Sequence, residues 1–251
     1  MGIEEDARIY RCVILSLLII ERKCEDYYVK LSVIIPVYNE PETFTTIIER
    51  VANVPIDKEI LVVDDGSAKS IESVVRRLDI AELHFFQHQE NRGKGAAIRT
   101  ALEHAVGDAV IIQDADTEYY PEDYSRLLEV FEKNKVGAVY GSRDLSDLSL
   151  LMRYGNYFVT FVTNLLYGSK LKDMETCYKV VATELMRSLE LESRRFEIEA
   201  EISAKLLRLG VEIAQVPIRY DARSEGKKLS SLDGFPTIVM LVKCLFWKPK
   251  K

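Results

Sequence analysis

Two carboxylates separated by one residue, Asp114-Ala115-Asp116, follow the apolar run Ala109 to Ile112. With one side chain leaving a strand and the other in the following turn, both can reach a single hard cation. Mg²⁺ favours few carboxylates together with phosphate oxygens, and a cation on a diphosphate offsets the charge that builds on a leaving group. The same aspartates could instead cap a helix before Pro121. Asp64-Asp65-Gly66-Ser67 closes a second apolar run and offers acceptors for the N–H and O–H groups of a base or ribose. Asn91-Arg92-Gly93-Lys94-Gly95 precedes a helical pattern, where glycines permit close backbone approach and Lys94 and the helix N-terminus can meet phosphate. This turn fits neither GxxxxGK[ST] nor GxGxxG, so the central motif of an ATPase, a kinase or a dinucleotide-binding oxidoreductase is missing. Pro36-Val37-Tyr38-Asn39-Glu40 and Gly141-Ser142-Arg143 end two further runs. Asp, Asn, Gly and Ser are ordinary turn residues; their recurrence after four apolar runs is what points to a site.

The elements that must hold these turns alternate. LSVIIPVY from Leu31, EILVVDD, LHFFQH, DAVIIQDAD, VGAVYGSR and VEIAQVPIRY read as strands. Residues 42–53, 70–78, 93–106, a stretch after Pro121, residues 144–170 with an aromatic face, and EIEAEISAKLLRLG read as helices. Short apolar runs alternating with helical segments predict an α/β fold with a mostly parallel central sheet covered by helices on both faces. In such sheets ligands bind beyond the carboxyl ends of the strands, where the polar turns fall. The expected division is an N-terminal apolar or interfacial segment, 1–30, a catalytic domain, 31–234, and a C-terminal amphipathic, basic-ended segment, 235–251.

A net charge of −6 in 251 residues and a pI near 5.3 exclude a dedicated nucleic-acid binder, which needs clustered cations. Cys12, Cys24, Cys177 and Cys244 form no CxxC pair, so zinc-knuckle and disulfide scaffolds are not indicated and a cytosol-facing location fits. Neither apolar stretch, CVILSLLII at 12–20 or FPTIVMLVKCLFW at 235–247, reaches the roughly 18 to 20 residues of a spanning helix. The second, ending in Trp247 and Lys248-Pro249-Lys250-Lys251, reads as interfacial or as a helix packed on the domain or on a second copy. His84, His88 and His104 lack metal-ligand spacing, and Glu201 reads as solvated helix face.

Residues 36–40, VVDDGS, NRGKGAAIRTAL, QDADTEYYP, GSR and DMETCYKV, in this order, resemble inverting family-2 glycosyltransferases with a GT-A (Rossmann-like) fold. Within them the sequence is most similar to the polyprenol-phosphate group of dolichyl-phosphate mannose synthase and dolichyl-phosphate glucosyltransferase. The resemblance spans about residues 31–235. It implies a nucleotide-sugar donor, with Pro36, Tyr38, Glu40 and Asp65 in the nucleoside pocket beside Asp64, and Lys94 near the nucleotide. Asp114 and Asp116, with Ala115 between them, would hold Mg²⁺ or Mn²⁺ on the donor diphosphate. Arg143, Lys179, Arg223, Lys227 and Lys228 would bind a polyprenyl or dolichyl phosphate acceptor, where the loop reads EGKK in place of the relatives' Gly-Ser-Lys. Glu197 or Glu199 would orient donor or cations, or act as general base for a hydroxyl acceptor. GKGAAIRTAL stands closer to the glucosyl-type members and favours a UDP-sugar over GDP-mannose. The resemblance further implies a peripheral position on the cytosolic face of a membrane, with an integral-membrane partner as an alternative anchor. A saccharide or lipid hydroxyl acceptor, and a silent nucleotide-sugar-binding subunit, are the competing readings.

Overall fold

Continuous apolar runs make strands that can be buried on both faces, and the computed structural model, which describes residues 28–222 and 234–249, uses them so. Strands β1 (Leu31–Val37), β2 (Lys58–Asp64), β3 (Leu83–Gln87), β4 (Ala109–Ile112), β5 (Ala138–Arg143), β6 (Lys179–Ala182) and β7 (Ile213–Ile218) form one sheet in the order β3-β2-β1-β4-β6-β5-β7. β1 runs parallel to β2 and β4, β2 to β3, and β5 to β7; β6 is antiparallel to both its neighbours. The register Val37↔Asp64 and Ile34↔Ile112 brings the carboxyl ends of β1, β2 and β4 to one edge, and β5, two strands further on, ends there too.

Helices α1 (Pro41–Asn53), α2 (Glu72–Val75), α3 (Lys94–His104), α4 (Tyr124–Asn134), α5 (Leu150–Tyr167), α6 (Thr183–Ser188), α7 (Ile198–Arg208) and α8 (Gly234–Cys244) connect and cover the strands, with a 3₁₀ turn, Pro121–Asp123, before α4. The segment expected to be helical over 70–78 makes a single turn, α2, and carries two adjacent β-branched valines, Val74 and Val75, which are poor helix formers. β6 is not among the strands expected from sequence. Lys-Val-Val-Ala is too short to show a period, and it becomes a strand by filling the gap between β4 and β5, with Ala109↔Ala182 and Tyr140↔Lys179 in register.

The glycines of the turn before α3 admit a close backbone contact. A Cβ on Gly93, whose φ is +96°, would stand 2.2 Å from the Arg194 carbonyl oxygen, and one on Gly95 would stand 2.4 Å from that of Ser193. The first amides of α3 are also taken, since Gly95 and Ala96 both donate to the Arg194 carbonyl, at 2.8 and 3.3 Å. Glu201, expected on a solvated face, is buried and fastens this same segment. Its carboxylate accepts the Glu192 and Ser193 amides and pairs with the buried Lys205 ammonium at 2.6 Å. Helix α7 lies with this face against the 190–195 loop, so a charge pattern that alone suggests exposure is satisfied internally. Gly93→Ala is expected to cost about 2 kcal/mol or more through strain and overlap, read as a lower midpoint in urea unfolding.

Candidate active site

A cleft of about 1040 Å³ opens at the edge where β1, β2, β4 and β5 end. Thr43 of α1 donates to the Ala115 carbonyl at 2.8 Å, and Ser67 and Asn39 exchange bonds with each other's loops, so the turns after β1, β2 and β4 are tied side by side. The Gln113 side chain locks the start of the Asp114 turn by accepting from the hydroxyls of Tyr124 and Tyr178 at 2.5 and 2.6 Å. Pro36, Tyr38, Glu40, Asp65, Lys94, Asp114, Ala115, Asp116 and Arg143, all singled out from sequence, line this one cleft.

Three charges alternate along its floor, and a fourth, buried beneath it, continues the run. Lys94 Nζ lies 2.7 Å from Asp114 Oδ1 and 3.2 Å from Glu199 Oε1, and Glu199 Oε2 receives the Lys179 ammonium at 2.5 Å. Glu199 Oε1 is buried and receives no hydrogen bond from the described residues. Burial works against the charge on Lys94, but Asp114, Cys177 and Glu199 outweigh it and hold the ammonium well above its ordinary pKa. Burial likewise opposes ionisation of Asp114, and Lys94 reverses the balance, keeping that carboxyl below its usual range.

Arg143 is held in a second buried pair. Its Nε and Nη2 donate to Asp173 at 2.6 and 2.9 Å, a bidentate contact, and the guanidinium stacks 5.0 Å from the centroid of Tyr220. Asn156 of α5 steadies the pair, donating to Asp173 at 3.2 Å and to Glu175 at 3.3 Å. Glu175 lines the cleft, and burial pushes its pKa up. Glu175 and Tyr220 line the cleft without having been singled out from sequence, although Glu175 stands inside the DMETCYKV motif.

Three expected site residues lie elsewhere. Lys179 was expected on the acceptor phosphate, yet it is fully buried, bonded to Glu199 and the Thr176 carbonyl, and absent from the cleft lining. It heads β6, opposite Tyr140 of β5, and its ammonium lies 5.2 Å from the centroid of the Tyr140 ring. Glu197 is at the N-terminal boundary of α7, where it accepts the Arg194 and Arg195 amides, and Glu199, two residues on, takes the place in the cleft. Asp64 is buried outside the lining and accepts from the Ser67 amide at 3.0 Å. Asp65 lines the cleft with its oxygens accepting the Arg92 and Gly93 amides at 2.9 and 2.7 Å. Arg223, Lys227 and Lys228 lie outside the described residues, as does the apolar stretch at 12–20.

The sequence matches the model of Glycosyl transferase family 2 over residues 32–182, the span from β1 to the end of β6 that contains most of this cleft. The chain belongs to glycosyl transferase family 2. Among relatives of this family 2 chain, a UDP-N-acetylglucosamine–dolichyl-phosphate N-acetylglucosaminyltransferase of Methanococcus voltae is 26% identical over 237 residues, covering 83% of this chain and 93% of that protein. A dolichyl-phosphate β-glucosyltransferase of Dictyostelium discoideum is 27% identical over 253 residues, covering 90% and 75%. Glucosyl-3-phosphoglycerate synthase from Mycobacterium tuberculosis, solved with Mn²⁺, UDP and phosphoglyceric acid, superposes with a TM-score of 0.71 over 93% of this chain and 83% of that one, at 18% identity. The family 2 chain is therefore a glycosyltransferase with the GT-A fold expected from its motifs.

Asp173 is the carboxylate whose titration this geometry makes visible. Burial raises its pKa, but Arg143 overrides that and sets it below the ordinary carboxylate value in the folded protein. The pair's stabilisation is therefore complete at neutral pH and is lost as the pH falls below about 4 towards the folded pKa. Asp173→Asn is expected to be less stable than the parent at pH 7 and to lose less stability between about pH 5 and 3, measured by urea unfolding across that range.

Proposed function

We propose that this enzyme transfers a sugar from a nucleotide-sugar to a polyprenyl or dolichyl phosphate at a membrane surface, with inversion at the anomeric carbon. The observation that carries the reading is the inverted amphipathicity of α5 beside the charged floor. Its outward stripe, Leu151, Tyr154, Phe158, Phe161 and Leu165, repeats at the three- and four-residue spacing of one helix face, yet is exposed. Its buried face carries Asn156, Thr160 and Thr163: the Asn156 amide nitrogen donates to Asp173 and Glu175, the Thr160 hydroxyl accepts from the Met174 amide, and the Thr163 hydroxyl donates to the Val159 carbonyl. α8 packs beside it, joined by the Tyr167 hydroxyl donating to the Leu241 carbonyl at 2.6 Å, and presents Phe235, Val239 and Val242 outward in the same way. A contiguous apolar surface of this kind on a soluble domain marks an interaction site.

The cleft joins the two chemistries. Its floor carries Lys94, Asp114 and Arg143, and its wall carries Leu151 and Phe158 of α5 with Phe235 and Ile238 of α8. A lipid phosphate matches both, the anion towards the cations and the isoprenoid along the wall. Among the described residues no helix is long and apolar enough to cross a membrane, so the enzyme would meet its lipid by lying on the bilayer, with α5 and α8 as the contact. The two dolichyl-phosphate transferases above support this acceptor, and their UDP-N-acetylglucosamine and glucosyl chemistry agrees with a UDP-sugar as donor.

The donor set fits a divalent cation supplied together with the nucleotide. Among the described residues no three His, Cys, Asp or Glu side chains cluster as a self-sufficient metal site. Asp114 and Asp116 line the cleft, and Lys94 already places a positive charge on Asp114. Two carboxylates completed by diphosphate oxygens suit Mg²⁺ or Mn²⁺, which would offset the negative charge developing on the leaving nucleoside diphosphate. A phosphate oxygen of the acceptor then attacks the anomeric carbon as the bond to the diphosphate breaks on the opposite face. An ionised phosphate needs no general base. The engagement of Glu199 with two lysines and the position of Glu197 outside the cleft disfavour a hydroxyl acceptor served by either carboxylate. The residues on hand position: Arg143 draws the acceptor anion, Lys94 neutralises the diphosphate, and Tyr38 with Asp65 borders the nucleoside.

Incubation with polyprenyl phosphate, Mn²⁺ and a panel of labelled UDP- and GDP-sugars is expected to move label into the organic phase from one donor, with EDTA abolishing it. Label appearing only on saccharide or lipid hydroxyl acceptors would overturn the reading. Asp116→Ala is expected to lower the rate by at least about a hundredfold with the fold intact by circular dichroism. Phe161→Glu with Leu165→Glu, both outside the cleft lining, is expected to weaken co-flotation with anionic vesicles at least about tenfold while leaving UDP binding unchanged.

A further inference from the structure

Lys94 stands on the oxygen that a metal-using reading needs. Its ammonium is 2.7 Å from Asp114 Oδ1, in a cleft where a second cation on the same carboxylate would face it at close range. Two unit charges about 4 Å apart repel by roughly 4 kcal/mol at an effective dielectric of 20, and a divalent cation roughly doubles that. Cation and lysine therefore compete for Asp114. Among the described residues, the lysine also reaches Glu199 Oε1, 3.2 Å away, which is buried and receives no hydrogen bond from any of them. Glu199 is held ready for it, because its other oxygen is anchored at 2.5 Å by Lys179, itself fixed on the Thr176 carbonyl.

We propose that Lys94 is a resident counter-ion that keeps Asp114 occupied until the nucleotide diphosphate arrives with its metal, and then shifts onto Glu199 Oε1, with the Glu199–Lys179 pair as the positioning element that receives it. This inference rests on the metal-dependent reading above. In the donor-free enzyme Lys94 neutralises Asp114 and disfavours metal alone. A diphosphate brings negative charge that stabilises both the cation and the displaced lysine, so metal and nucleotide bind with positive coupling, each raising the other's affinity by the same factor. Lys179, fully buried and outside the cleft, thereby acquires a role that its expected contact with acceptor phosphate does not give it.

The experiment is Mn²⁺ binding to the full chain, followed by electron paramagnetic resonance of free Mn²⁺ with and without UDP and needing no turnover. The parent is expected to bind Mn²⁺ weakly alone and at least tenfold more tightly with UDP. Lys94→Met is expected to bind Mn²⁺ without UDP at least tenfold more tightly than the parent, so that UDP adds less. Removing the receiver while keeping the interior neutral, in the double variant Lys179→Met with Glu199→Gln, is expected to weaken UDP-supported Mn²⁺ binding about tenfold with a cooperative melt retained. Asp114→Asn is the control for the metal reading and is expected to abolish UDP-supported binding. If the parent shows no UDP-supported Mn²⁺ binding, or Asp114→Asn leaves it intact, the metal reading fails and the proposal with it. If both behave as expected but Lys94→Met binds metal no better than the parent, or the double variant binds as the parent does, the counter-ion transfer is overturned while the metal reading stands.

Discussion

The run of alternating charges from Asp114 through Lys94 and Glu199 to Lys179 is the constraint on which the site depends. It joins the turn after β4, the first turn of α3, the first turn of α7 and the head of β6. Buried ions lose hydration worth several kcal/mol each, and removing one partner leaves the next uncompensated. Each of the four therefore requires its neighbour, so four elements distant in sequence are held in one mutual arrangement by the need to keep their charges matched. Apolar packing would bury the same area without specifying which strand end meets which helix.

A second buried pair, Arg143 with Asp173, does for the other side of the cleft what this run does for the floor. Asn156 connects it to α5, which explains why that helix turns its polar residues inward. Those side chains satisfy the loop carrying Asp173, Met174 and Glu175, and the aromatic residues are left on the outside. The exposed apolar stripe is thus a structural partner of the charged cleft: one helix supplies hydrogen bonds to the site with one face and an apolar surface with the other. α8 continues that surface while anchoring itself through Leu241 and Cys244 in the core.

Segment 190–195 shows how a loop can carry positional information. Glu201 and Lys205 fix its amides and carbonyls, and its Arg194 carbonyl in turn takes the first amides of α3. The glycines at 93 and 95 exist to let this contact close. Lys94 lies between them, so its side chain is what α3 offers to the cleft, while the helix N-terminus is already satisfied.

The alternation of strands and helices, the edge of the sheet where ligands meet it, and the charged turns that line the cleft were legible in the order of residues alone, because β1, β2, β4 and β5 are apolar runs and each ends in polar turn residues. Parallel strands send such ends to one edge whatever the details of packing. Properties that depend on pairing across the chain could not be read that way. β6 is too short to show a period and became a strand by filling a gap. Glu197, Glu199 and Glu201 alternate in one helix, and local pattern could not say which caps, which lines the cleft and which anchors a loop. Lys179 and Lys94 look alike as basic residues in motifs; at the head of β6 one is fully buried outside the cleft lining, and at the start of α3 the other stands in it. A charge's role is set by the partner it finds, and partners distant in sequence become neighbours only when the sheet has closed.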